Sequence, residues 1–173
     1  MKGVKVFSGE IKKLRDRIAK IEKALKHIPP EINGIETQLD TVRKLLQEKE
    51  EEALKIAREI REKEHGFTEV KQKILYHDKY LRRADSPREY ERLLKEREEL
   101  VSRAFELSNT IHELRTKYDR VKAEELDLYQ KEQELERELY KLKKEYGALL
   151  NELKGLTRLL EKKVTELEEK FNL

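Results

Sequence analysis

The sequence predicts an all-α protein, a long antiparallel coiled-coil hairpin with two arms. Three observations lead to this fold: an apolar heptad repeat in each half of the chain, a turn signal between the halves, and a highly charged composition. Charged residues make up 45% of the 173 residues and apolar residues 36%, whereas an ordinary domain is about a quarter charged. This much apolar material can form one stripe along a helix but not a multilayer core.

The first arm carries a heptad repeat. Positions spaced alternately four and three residues apart, from Phe7 to Leu81, are apolar in 19 of 22 cases. Composition alone predicts about eight apolar residues at these positions. The repeat places core position a at Ile11 and core position d at Leu14. Such regularity excludes the disorder that high charge would otherwise suggest.

The second arm carries a matching repeat from Tyr90 to Lys170, with apolar or aromatic residues at 19 of 24 positions. Leu81 is an a position of the first repeat, so the next a position seven residues later would be Arg88. The second repeat instead has its a position at Tyr90. The two stripes are therefore out of phase, and we expect them to belong to separate helices.

The phase break coincides with a helix-start signal. Ser86 suits the N-cap, Pro87 the first helical position, and Glu89 the carboxylate of a capping box. We expect one domain over residues 1–173, with arm 1 over about 7–83, the turn over 84–86 and arm 2 over about 87–171. Folding the arms together is the simplest way to bury two stripes of equal length.

Charge suggests the register of the two arms. If facing core positions have residue numbers that add up to 174, Lys49 lies opposite Glu125, and two costly core charges pair. A total of 167 would instead set Lys49 against Tyr118. We favour the first register, which predicts a core charge pair of Lys49 and Glu125.

Two consecutive prolines, Pro29 and Pro30, interrupt the first repeat. Proline inside a helix removes an amide donor and clashes with the preceding turn. We therefore expect the first arm to be kinked or broken at Pro29-Pro30, between His27 and Glu31. The feature would be either a hinge or a helix joint held by packing on both sides.

The sequence offers no chemistry for catalysis, so we expect no catalytic residues, no cofactor and no metal. There is no cysteine, and the four histidines lack the spacing of a helical metal site. His77 falls on the seam beside Arg97, which should discourage its protonation. Phosphate-loop, dinucleotide and nucleophile-elbow motifs are absent. With no apolar signal segment or membrane-length run, we expect a cytoplasmic protein, and the composition is thermophile-like.

Basic residues concentrate at the tip of the predicted hairpin, residues 71–97. Nine cations stand against five anions there, a difference of +4, compared with +3 for the whole chain. Tyrosines are interleaved, and cations with aromatics can meet an acidic protein surface or grip nucleic acid. An ordinary charged helix end is the remaining alternative. The candidate binding residues are Arg82, Arg83, Arg88, Tyr90, Arg92 and Lys95.

Two segments are similar to a known family. They are the "HIPPEINGIE" segment at 27–36 and the "REYERLLKE" segment at 88–96. Both resemble the bacterial coiled-coil proteins that end in a C4-type zinc ribbon. The resemblance implies a helical hairpin and an adaptor role in flagellar or type III secretion regulation, with binding to the sigma factor RpoN and to nucleic acid. This chain has no cysteine, so the zinc ribbon and its binding do not carry over. The matching residues after the turn are Arg88, Glu89, Tyr90, Leu93, Lys95 and Glu96.

The function that the sequence favours is a non-enzymatic adaptor or scaffold that binds a protein partner through the basic tip. The alternatives are a nucleic-acid-binding coiled coil and a secretion-associated stalk or export chaperone. A membrane partner is not expected. A homodimer is possible, supported by apolar side chains beside the centre of the seam, namely Leu45, Leu46 and Leu94.

Overall fold

The computed structural model describes residues 2–171, which form two long helices packed as a hairpin. Helix α1 spans Lys2–Arg82 and helix α2 spans Pro87–Phe171. The predicted fold class is confirmed. The four residues between the helices also agree with the predicted turn at 84–86 to within one residue.

The hairpin comprises two compact units. Unit 1 contains residues 2–43 of α1 and 130–171 of α2, and unit 2 contains residues 44–129 with the turn. Within each unit the two helix segments pack along one apolar seam. The buried side chains of unit 1 are Ile11, Ile21, Ile28, Leu39, Val42 and Leu135. Those of unit 2 are Leu46, Ala53, Ile56, Val70, Leu93, Ile111 and Val121.

The heptad repeats account for the seam. In the first repeat every position except Lys63 is buried or half-buried, and in the second only Tyr90 and Lys170 are exposed. Across residues 2–171 the buried set is entirely apolar. Burial of the two stripes is therefore the main force that holds the helices together, because this composition supplies no other core.

The predicted register is correct in unit 2. Ala53, Ile56 and Val121 form a buried cluster, onto which Ile60, Leu114 and Tyr118 pack. Pairing these residues across the helices gives numbers that add up to 174. The cross-helix ion pairs Arg97–Asp78, at 2.5 Å, and Lys49–Glu124, at 2.6 Å, lie within one residue of the same register, whereas the longer reach of Glu64 to Arg115 gives a total of 179.

The predicted charge pair of Lys49 and Glu125 is wrong by one residue. Lys49 Nζ lies 2.6 Å from Glu124 Oε2, whereas Glu125 pairs with Lys122 of its own helix at 3.4 Å. The lysine stem covers the seam and its ammonium extends to the edge that Glu124 occupies. Its hydrogen bond to Glu124 raises the pKa of Lys49. The charges thus pair beside the core rather than inside it.

The first arm is not broken at Pro29-Pro30, so of the two alternatives, kink or break, the break is wrong. Helix α1 continues through both prolines. Each ring removes one amide donor, which leaves the carbonyls of Leu25 and Lys26 without their helical partners. Pro30 is exposed and Pro29 is half-buried, so water can reach this side of the helix. Ile28, on the opposite side, is only 6% exposed and keeps the segment packed.

We expect Ile56→Ala to lower the free energy of unfolding by about 2–5 kcal/mol, because it removes buried methyl groups and leaves a cavity. The side chain is 3% exposed and belongs to the central cluster of unit 2. Urea denaturation followed by circular dichroism measures the change. Lys55→Ala, at the exposed neighbouring position, should change the value by no more than about 0.5 kcal/mol. Equal losses in the two variants would contradict the packing described.

We expect Pro30→Ala to raise the free energy of unfolding by about 1–3 kcal/mol. The substitution restores a helical amide donor and removes a ring clash, and this gain exceeds the benefit that proline brings by restricting the unfolded chain. The same denaturation assay measures the effect. Glu31→Ala provides the matched exposed control, and a Pro30→Ala variant less stable than wild type would show that the prolines fit α1 without cost.

Candidate functional site

The tip is held by hydrogen bonds at the two helix ends. The amide of Arg83 donates to the carbonyl of Tyr80 at 3.1 Å and closes the last turn of α1. The Ser86 hydroxyl accepts from the amide of Glu89 at 3.2 Å, so the predicted N-cap is present. The reciprocal bond from the Glu89 carboxylate is absent among residues 2–171, so only half of the capping box forms. The turn is short and fixes where the neighbouring side chains point.

The candidate cations lie on the outer edges of both helices. Arg82 and Arg83 end α1 and its turn, and Arg88 and Lys95 follow on the outer side of α2. All four are exposed, and within the described part of the chain none has a carboxylate within 4 Å. Tyr90 is 46% exposed rather than in the seam. The structure thus leaves most of the predicted binding residues available to a partner.

Arg92 is the exception among the predicted residues, because it belongs to a network within the tip. Its Nη1 lies 3.2 Å from Glu96 Oε1, and the other oxygen of Glu96 lies 3.0 Å from His77 Nε2. Glu96 therefore joins α2 to α1 across the seam. A charge change at Arg92 would disturb this bridge as well as any partner contact.

His77 is poised to be protonated, contrary to the sequence-based expectation. Arg97 turns away to Asp78, and the two ring nitrogens of His77 face acceptors: Glu96 at 3.0 Å and the carbonyl of Lys73 at 2.9 Å. Only the doubly protonated ring can donate to both. The hydrogen bond to Glu96, followed by that to the Lys73 carbonyl, raises the pKa of His77.

An aromatic pair lies beside this network and was not among the predicted site residues. The hydroxyl oxygens of Tyr76 and Tyr80 are 2.6 Å apart, and their rings are edge-on with centroids 4.6 Å apart. The rings are 56% and 44% exposed. Tyr76 and His77 also line an open groove with Lys73. The four-residue spacing was readable in the sequence, but that the pair points outward depends on the helix phase.

Within residues 2–171 no group of three potential metal ligands is found. The same part of the chain contains no helix long and apolar enough to cross a membrane. What the tip offers a ligand is exposed guanidinium, ammonium and phenol groups on a fixed helical frame.

Comparison with known proteins gives the fold but no function. No protein-family model matches the sequence. A protein of Aquifex aeolicus (strain VF5), described as an uncharacterized protein, is 58% identical over 98 residues. The match covers 57% of this chain and 54% of the relative, so the chain spans about half the length of the curated relative it matches. Among solved structures, the HP0958 protein from Helicobacter pylori is 21% identical, with a TM-score of 0.66 over 97% of this chain and 71% of that one.

We expect the His77–Glu96 bridge to make stability pH-dependent. Folding raises the pKa of His77 above 6.5, so its contribution is complete below that value and disappears as pH rises through the raised pKa. Folding lowers the pKa of Glu96 below 4.5, so its contribution is present above 4.5 and is lost as pH falls through the lowered pKa. Both contributions to the free energy of unfolding are complete between pH 4.5 and pH 6.5, the ordinary pKa values of the two groups.

Thermal unfolding of wild type and His77→Gln measures the effect. The melting temperature should fall more on substitution at about pH 5.5 than at about pH 9, because the bridge needs the imidazolium. His27→Gln, at an exposed position without an ion-pair partner in the described chain, serves as the control. A His77→Gln loss that is the same at both pH values would show that the bridge does not depend on protonation.

Proposed function

We propose that the protein is a non-enzymatic cytoplasmic adaptor or scaffold that binds a protein partner through the tip. The observation that carries the proposal is the set of exposed tip cations without intrachain partners, Arg82, Arg83, Arg88 and Lys95. Unpaired cations also occur elsewhere along the helices, so what distinguishes the tip is its local excess of nine cations over five anions in residues 71–97.

The chemistry of the tip favours an acidic protein surface as the partner. Arginine presents a planar fork that binds carboxylates in bidentate fashion. Arginine and tyrosine are also the residue types enriched at the centres of protein interfaces. The exposed Tyr76–Tyr80 pair supplies contact area next to the cations. A rigid helical frame would lose little conformational freedom on binding.

The resemblance to the coiled-coil and zinc-ribbon family supports the same role. We propose that this chain is related to that family through the hairpin and the segment after the turn, residues 88–96. Related proteins could share an adaptor role even if one of them has no metal site, because such a role depends on the exposed helix surface.

We expect charge reversal at the tip to abolish partner capture. The triple variant Arg83→Glu, Arg88→Glu and Lys95→Glu changes exposed residues that make no ion pair in the described chain, so folding should be unaffected. Affinity capture from a bacterial lysate, quantified by mass spectrometry, should show at least one protein bound by wild type and lost by about tenfold or more from the variant.

The matched control reverses three exposed cations far from the tip in sequence, Arg15→Glu, Lys23→Glu and Lys26→Glu. It changes the net charge by the same amount and should leave capture intact. If all three proteins capture the same set in the same amounts, the tip is not the binding surface.

Nucleic-acid binding is the second candidate, favoured by the tyrosines that lie among the cations. Fluorescence anisotropy with a labelled single-stranded oligonucleotide separates the two functions. Binding through phosphates must weaken as salt rises, with a slope that reports the number of contacts. No binding at low salt, or binding that is indifferent to salt, would exclude this candidate.

A further inference from the structure

The tip contains a network in which two nitrogen groups share one carboxylate. One oxygen of Glu96 lies 3.2 Å from Arg92 Nη1, and the other lies 3.0 Å from His77 Nε2. Arg92 precedes Glu96 by one turn of α2, whereas His77 lies on α1, across the seam. Because a single negative charge faces both neighbours, the attraction of Glu96 for Arg92 depends on whether the imidazole is charged.

The position of His77 keeps its ring beside Glu96. His77 occupies core position d of the first repeat, and its side chain is only 20% exposed. Its second ring nitrogen, Nδ1, lies 2.9 Å from the carbonyl of Lys73, one turn earlier in α1. The ring therefore has an acceptor on each side and cannot turn toward one without leaving the other.

A neutral ring cannot satisfy both acceptors, because only one of its nitrogens then carries a hydrogen. If that hydrogen is on Nδ1, the lone pair of Nε2 faces the carboxylate of Glu96 and repels it. If it is on Nε2, the bond to Glu96 loses its charge assistance, which makes it about half as strong. In either tautomer Glu96 loses the cation on α1, and Arg92 is the cation that remains beside it.

The other charged groups near His77 interact elsewhere. Arg97, which faces His77 in the register of unit 2, binds Asp78 at 2.5 Å. Glu69, which lines the open groove beside the ring, lies 3.2 Å from His65. The charged groups that face His77 are Glu69 and Lys73 on α1, and Arg92, Glu96 and Arg97 on α2.

We propose that protonation of His77 regulates binding at the tip, because it draws Glu96 toward α1 and leaves the guanidinium of Arg92 for the carboxylates of an acidic partner. The three groups together carry one net positive charge when His77 is protonated and none when it is neutral. The excess of cations in residues 71–97 rises in the same way, from +4 to +5. This regulation rests on the proposed function, in which the tip binds an acidic protein surface.

Arg92 is placed to respond to this change. Its side chain is 63% exposed, so a partner can reach it. A guanidinium that is released from its own chain can bind a carboxylate in bidentate fashion. Among the predicted binding residues, Arg92 is therefore the one whose availability depends on a neighbouring group of the same chain.

Protonation and partner binding must favour each other. By linkage, an acidic ligand that binds the protonated tip more tightly raises the pKa of His77. The hydrogen bond to Glu96, followed by that to the Lys73 carbonyl, already raises this pKa in the free chain. The affinity should be highest below the pKa of His77 in the free chain, decrease as pH rises, and be lowest above the pKa in the complex.

Fluorescence anisotropy of the full chain with a labelled oligoaspartate peptide tests the proposal. At constant ionic strength, the dissociation constant of wild type should be at least about fivefold lower at about pH 5.5 than at about pH 9. His77→Gln should reduce this ratio to less than about twofold. His65→Gln, which removes an exposed histidine of the same unit, should retain the wild-type ratio. A wild-type ratio near one overturns the proposal.

Glu96→Gln separates the release of Arg92 from the strength of the bridge. This variant lacks the bridge at every pH, yet it leaves Arg92 free of a carboxylate. At about pH 9 it should therefore bind the peptide about as tightly as wild type does at about pH 5.5. Glu22→Gln, at an exposed position of unit 1, removes the same charge and should match wild type. A Glu96→Gln variant with the wild-type affinity at about pH 9 overturns the proposal.

The regulation and the proposed function fail separately. Saturation with the peptide should raise the pKa of His77, measured by NMR, by about 0.7 for a fivefold change in affinity. Suppose that the triple tip variant (Arg83→Glu, Arg88→Glu and Lys95→Glu) loses binding while wild type binds equally at both pH values. That result overturns the regulation and leaves the proposed function standing. Absence of wild-type binding at both pH values overturns both.

Discussion

The structure depends on the burial of two apolar stripes against each other along a single seam. The described residues 2–171 form these two helices and the turn between them, so no second layer of secondary structure covers the seam there. Each seam residue therefore has one source of stabilisation, the facing stripe. Removal of water from these side chains contributes about 25 cal/mol per Å². This is why Ile21 and Val121, at 1% exposed, matter more to the fold than any surface ion pair.

The rest of the helix surface is charged because, in a two-helix hairpin, side chains outside the seam are exposed to water. Cross-helix ion pairs such as Arg17–Glu152 and Lys49–Glu124 border the core. Exposed pairs of this kind contribute little individually, about 0–1 kcal/mol. Their effect is to fix the register, since a slip of one heptad would separate each pair. At the tip, exposed cations that make no ion pair in the described chain are the surface that the proposed function uses.

The tip carries exposed arginines, lysines and tyrosines around a capped turn. Under the proposed function, this chemistry suits an acidic partner.

The sequence by itself determined the two helices, the turn and the register, because heptad spacing and capping residues act locally. Ser86 and Pro87 start α2 whatever lies around them. Tertiary structure decided which charged and aromatic side chains are paired. A long side chain can contact a residue one position away from the residue directly opposite it on the other helix. Lys49 therefore pairs with Glu124, and His77 meets Glu96 instead of Arg97. The continuous helix through the two prolines was likewise decided by packing, since the local preference at residues 27–31 is to stop.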